Sequence, residues 1–99
     1  MLHEKIQLSH KEANSYVIPL GDINLVAVTT DTGLVGCGVF DVFILDKFNY
    51  PAARVRSSKG GAIDNVDDIL NGIVKDANDT AQKRGVKVGM TGRQALECL

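Results

Sequence analysis

Ile23-Asn24-Leu25-Val26-Ala27-Val28-Thr29-Thr30-Asp31-Thr32-Gly33-Leu34-Val35-Gly36-Cys37-Gly38-Val39-Phe40 is the stretch whose reading decides the fold. Ile23 to Thr30 is the strongest strand in the chain. Its middle, Leu25 to Val28, is apolar at every position, which predicts a central strand covered on both faces. Asp31-Thr32-Gly33 then turns the chain. Gly33 can take the positive φ that closes a three-residue hairpin loop, so Leu34 to Phe40 is predicted to pair antiparallel with the strand before it.

Toward the N-terminus, Lys5-Ile6-Gln7-Leu8 alternates as a half-buried strand does. Tyr16-Val17-Ile18-Pro19-Leu20 is a second candidate, and Pro19 makes it an edge strand or a strand end, because proline donates no ladder hydrogen bond. On the other side, Asp41 is positioned to cap a helix from Val42 to Phe48. Pro51 ends that helix by pushing Tyr50 out of α geometry. Ala52 to Arg56 reads as a further strand, and Ser57-Ser58-Lys59-Gly60-Gly61 as loop. From Asn65 to Arg84 the apolar residues Val66, Ile69, Leu70, Ile73, Val74, Ala77 and Ala81 fall on one helical stripe. Asn71-Gly72 predicts a kink or break in it, leaving two helices on one face. Gly85 reads as the residue that ends this run. Val86-Lys87-Val88 follows as a short strand or extended link, and Thr91 opens the last helix. The predicted fold is α+β: an antiparallel sheet of about four or five strands, packed with C-terminal helices in a single domain spanning 1–99.

Ninety-nine residues suit one hydrophobic core. With three Phe, two Tyr and no Trp, that core rests on aliphatic side chains, which leaves room for homo-oligomer contacts. A net charge of −1 with dispersed basic residues argues against a nucleic-acid partner. No apolar run approaches the roughly 20 residues of a membrane span. Two cysteines make no disulfide framework, and the polar start Met1-Leu2-His3-Glu4-Lys5 carries no signal peptide. A cytoplasmic protein with reduced thiols is expected.

Three segments carry candidate chemistry. In Thr91-Gly92-Arg93-Gln94, threonine at the N-cap and glutamine three residues on form a capping-box pattern. A helix N-terminus also offers free donors and partial positive charge, so Thr91, Gly92 and Arg93 are candidates to hold a carboxylate or phosphate. The plain alternative is a structural cap. Cys37 stands between Gly36 and Gly38 with little steric cover, and a nucleophilic thiolate needs such access plus a base or cation. Asp41 is the candidate orienting group, with Arg54 or Arg93 supplying charge; a buried inert cysteine and a plain N-cap are the alternatives. Arg54, Arg56 and Lys59 before Gly60-Gly61 give a weak anion-nest pattern. His3, His10, Cys37 and Cys98 lack metal-ligand spacing, so no metal site is expected; Cys98 reads as packing.

On Gly33-Leu34-Val35-Gly36-Cys37-Gly38-Val39-Phe40-Asp41-Val42 and Val88-Gly89-Met90-Thr91-Gly92-Arg93-Gln94-Ala95-Leu96, the chain resembles the YunC-like family of small bacterial and archaeal proteins. Those motifs match the family's Cys-Gly pair followed by Asp-Val and its Val-Gly-Met-Ser/Thr-Gly-Arg signature. Cys37, Gly38, Asp41, Gly92 and Arg93 are the matching positions. The resemblance implies a compact α+β domain and an intracellular protein, and brings no cofactor, substrate or catalytic residue. The leading expectation is a small non-catalytic domain that binds a small anionic ligand, self-associates, or does both. The alternatives are a small enzyme with Cys37 as nucleophile and a structural subunit of a larger complex.

Overall fold

Six strands form one sheet in the computed structural model, which describes all residues from Met1 to Leu99. They are β1 (Leu2–Gln7), β2 (Glu12–Leu20), β3 (Ile23–Thr29), β4 (Leu34–Gly36), β5 (Ala52–Arg56) and β6 (Ile73–Ala77), and they lie side by side in chain order. Four short helices complete the α+β fold: α1 (Val42–Asp46), α2 (Val66–Leu70), α3 (Asp79–Gln82) and α4 (Gly92–Cys98). None is long and apolar enough to cross a membrane.

The central strand is as its sequence requires. Val26, Ala27 and Val28 of β3 are buried in succession, so both faces of the sheet are covered there. Pro19 sits near the end of β2, beyond the reach of β1, whose pairing stops at Leu2 opposite Val17. Its missing N–H therefore breaks no bond on that side.

Three expectations need correction. The sheet has six strands rather than four or five, and it is mixed, because β5 runs parallel to β4. The segment from Phe40 to Pro51, with α1 inside it, carries the chain back to the starting end, which is what a parallel pair demands. Gly33 does not adopt a positive φ. The Thr30 hydroxyl accepts from the Thr32 and Gly33 amides and closes the turn instead. Glycine is needed at 33 for space, since a Cβ there would lie 2.5 Å from the Pro51 carbonyl oxygen.

The largest correction concerns residues 65 to 84, which are not one kinked helix. Asn65 caps α2, and Gly72 ends it with its amide bonded to the Ile69 carbonyl. The chain then enters β6, pairs antiparallel with β5, and returns to helix only at α3, capped by Asn78. Gly85, at φ 101°, turns the chain out of α3. Val86 to Val88 forms no strand, although Val86 is fully buried.

Candidate functional site

β4 is short because the chain folds over itself after Gly36. The Phe40 ring lies against Gly36 where a Cβ would otherwise project. The Cys37 amide still donates to the Val26 carbonyl at 3.0 Å, and the Phe40 amide donates to the Cys37 carbonyl at 3.3 Å. That closes a turn with Gly38 and Val39 at its centre. As in any four-residue turn, the two central amides are spare, and neither Gly38 nor Val39 donates to a protein acceptor.

Arg54 of β5 braces the turn from beside it. Its Nε donates to Asp76 Oδ2 at 2.6 Å, and its Nη1 donates to the Gly38 carbonyl at 3.3 Å. Arg54 is thus committed to structure. One step further along the ladder the register slips: Arg54 faces Asp76, but Val55 faces Val74, which leaves Lys75 as an extra residue on β6. Such a bulge bends its strand and re-aims the side chain it inserts.

These features meet at a depression of about 320 Å³. The turn contributes Cys37, Gly38 and Val39; β5 contributes Val55 and Arg56; the bulge contributes Lys75. Ile23 and Asn24 at the start of β3, and the loop through Ser57 and Gly61 to Ile63, complete the wall. Cys37 is 5% exposed and belongs to the main core cluster, so it forms floor rather than rim. Arg56 and Lys75 are exposed, and neither pairs with a carboxylate, since Arg54–Asp76 is the one ion pair in the molecule.

Charge sets this depression apart. Three other surface cavities exist, and each includes carboxylates: Glu12 and Asp31 in one, Glu4 and Asp67 in the second, Asp67 and Asp68 in the third. The Cys37 depression has two cations and no carboxylate. Asp64, next in chain to Ile63, turns to the Asn24 side-chain amide at 3.0 Å and does not line it.

The other predicted residues lie elsewhere. Thr91 and Gln94 form a complete capping box at α4, as their spacing predicts. The Gly92 amide donates to the Gly72 carbonyl at 2.9 Å, and a Cβ on Gly92 would overlap the Ile69 carbonyl, so Gly92 lets α4 pack on α2. Two of the donors at this helix end are therefore already engaged. Arg93 projects into a separate groove shared with Leu2, Glu4, Lys5 and Asp67. Asp41 caps α1, accepting from the Phe43 and Ile44 amides at 3.1 and 3.2 Å, and lines none of the cavities. The fold therefore brings Cys37 and Gly38 together, groups Thr91, Gly92 and Arg93 on α4, and leaves Asp41 apart from both.

Residues 36–99 match the family model described as a domain of unknown function, DUF1805; the span takes in the second sequence motif whole and the first from Gly36 onward. The chain belongs to this family. It is 26% identical over 91 residues to the uncharacterized protein YunC of Bacillus subtilis (strain 168), covering 92% of this chain and 89% of that one. Its fold is similar to a crystal structure titled as a protein of unknown function, TA1206, from Thermoplasma acidophilum. That match has a TM-score of 0.85 at 24% identity over 97% of this chain and 89% of the other. The family is one of unknown function, so the chemistry must be read from the site.

Sequence reasoning missed Lys75, Ile23, Asn24 and Ile63. Lys75 falls within the run predicted as helix, where nothing singles it out. Only the bulge turns it into a site residue, and a bulge leaves no composition signal. Arg56 was visible in a basic loop pattern, but nothing in the sequence separated it from Arg54.

Proposed function

We propose that this protein is a small non-catalytic binding domain that holds a small anion in the depression over Cys37. One observation carries the reading: this cavity alone combines cations with no carboxylate. Arg56 presents a planar fork suited to two carboxylate or phosphate oxygens, and Lys75 adds a point charge beside it. The free amides of Gly38 and Val39 are further donors at the edge. Thermal-shift measurements with millimolar carboxylates and phosphate test the reading. The anion should raise the Tm of the wild type and of Arg93→Ala, but not of the Arg56→Gln/Lys75→Gln double variant. An unresponsive wild type, or a double variant that responds fully, sinks it.

A second reading, an enzyme with Cys37 as nucleophile, is favoured by the two cations that share the depression with the thiol. It requires the Cys37 thiolate to form and to be reached by an electrophile in the folded state. Alkylation of native protein across a pH series, followed by mass spectrometry, separates the two. Modification only after unfolding removes the enzyme reading and leaves anion binding untouched.

Self-association, or docking in a larger complex, finds support at α1 and the turn that follows it. Phe43, Ile44 and Phe48 are all more than half exposed there. Light scattering at high concentration tests the first of these; a monomer removes it.

A further inference from the structure

We infer that the anion held over Cys37 is a monocarboxylate with a compact apolar body, rather than phosphate, a nucleotide or a dicarboxylate. The inference rests on the binding reading above and specifies its ligand class. The depression has two chemically distinct parts. Its cations are Arg56 and Lys75, while Ile23, Val39, Val55 and Ile63 supply apolar wall and Cys37 a weakly polar floor.

Size sets the first limit. A cavity of about 320 Å³ lies at the small end of ligand pockets. At roughly 30 Å³ per water-sized group it accommodates on the order of ten non-hydrogen atoms. A nucleotide is too large. Charge placement sets the second limit. Inorganic phosphate satisfies the cations but leaves the aliphatic wall wet. A dicarboxylate of this length places its second charge beside Ile23, Val39 or Ile63, where no cation answers it and the apolar wall gains no cover. A single carboxylate on Arg56 and Lys75, with a branched aliphatic body over the wall, satisfies both parts at once. Each methylene buried there should tighten binding about threefold, somewhat below the full transfer value because the site is open on one side.

Binding titrations of wild-type protein with acetate, butanoate, 4-methylpentanoate, 4-methylpentanamide and inorganic phosphate test the inference. The expected series tightens from acetate to 4-methylpentanoate by at least tenfold. The neutral amide should lose at least tenfold against its acid, and phosphate should bind more weakly than 4-methylpentanoate. In Val39→Ser and Ile63→Ser the ratio of 4-methylpentanoate to acetate affinity should shrink severalfold. Val39 is exposed, so its variant should fold normally even if the Ile63 variant is weakened. If acetate or phosphate binds as tightly as 4-methylpentanoate, the ligand class is wrong and the anion site survives. If no anion binds, both readings fall.

Discussion

Arg54 and Asp76 face each other across the β5–β6 ladder, and the arginine Nε donates to the carboxylate at 2.6 Å. Each side chain is 27% exposed, so the pair is partly shielded from water. Its importance lies in what else Arg54 holds. The second bond, from Nη1 to the Gly38 carbonyl, ties the turn over Cys37 to the strand pair that carries the Lys75 bulge. One arginine thus links the two halves of the proposed site.

Arg54→Lys should therefore separate stability from site geometry. A lysine ammonium can keep the charge but cannot bridge both acceptors with a rigid fork. Urea unfolding should register a loss of about 1 kcal/mol or less, as partly exposed pairs give. Amide exchange at Cys37 and Phe40 should quicken, and anion affinity should fall severalfold. A variant with unchanged exchange and affinity would detach Arg54 from the site.

The small-residue positions split into two classes. Gly92→Ala places a methyl on the Ile69 carbonyl, a backbone atom that cannot swing away. It should cost about 3 kcal/mol or more, at the top of the overpacking range, and lower Tm by roughly 12 °C or more. Gly38→Ala meets nothing within 4 Å and should stay within about 0.5 kcal/mol of wild type. Thermal denaturation of both variants checks the contrast.

Asn78 is the buried polar hub. Its Oδ1 accepts from the Ala52 and Ala81 amides, and its Nδ2 donates to the Val42 and Tyr50 carbonyls at 2.9 and 2.8 Å. Asn78→Ala strands these backbone groups and should cost at least about 3 kcal/mol. Asn78→Asp should be worse near neutral pH, because a carboxylate would face two carbonyl oxygens. Denaturant midpoints for both variants test this.

Acid stability should depend on two half-buried carboxylates. The Thr80 hydroxyl and amide hold Asp46 below its ordinary value of 3.8, and the Ser9 hydroxyl and amide do the same for Glu97 below 4.5. Both groups bind protons more weakly folded than unfolded. Their stabilisation is therefore present above the ordinary values and is lost as pH falls through the lowered ones. Asp46→Asn and Glu97→Gln should be less stable than wild type near neutrality, and the gap should close on acidification. Chemical unfolding across pH 2 to 7, on the scale of ordinary carboxylate titration, reads the gap; one that widens in acid contradicts this assignment.

Much of the fold was legible because local signals and tertiary needs agreed. Within the apolar run, Val26 to Val28 became the covered centre of the sheet, and Thr91 and Gln94 formed their box. Residues 73 to 77 misled because Val74 and Ala77, three apart, are both buried, the spacing of a helix face. A strand normally alternates its faces, but the Lys75 bulge inserts a residue between them and restores both to the core. The same irregularity hid Lys75 from the site. Cys37 and Gly38, singled out for their glycine context, line the depression, whereas the α4 terminus was singled out for donors that the Gly72 carbonyl and Thr91 hydroxyl occupy.

The central claim is that an anion is held between Arg56 and Lys75 over Cys37. Amide chemical-shift mapping during titration of the ¹⁵N-labelled protein with acetate and 4-methylpentanoate tests it most directly. The account expects saturable shifts concentrated at Gly38, Val39, Arg56 and Lys75, and their disappearance in Arg56→Gln/Lys75→Gln. Shifts centred instead on Thr91 to Arg93, or no saturable shift with either carboxylate, would contradict it.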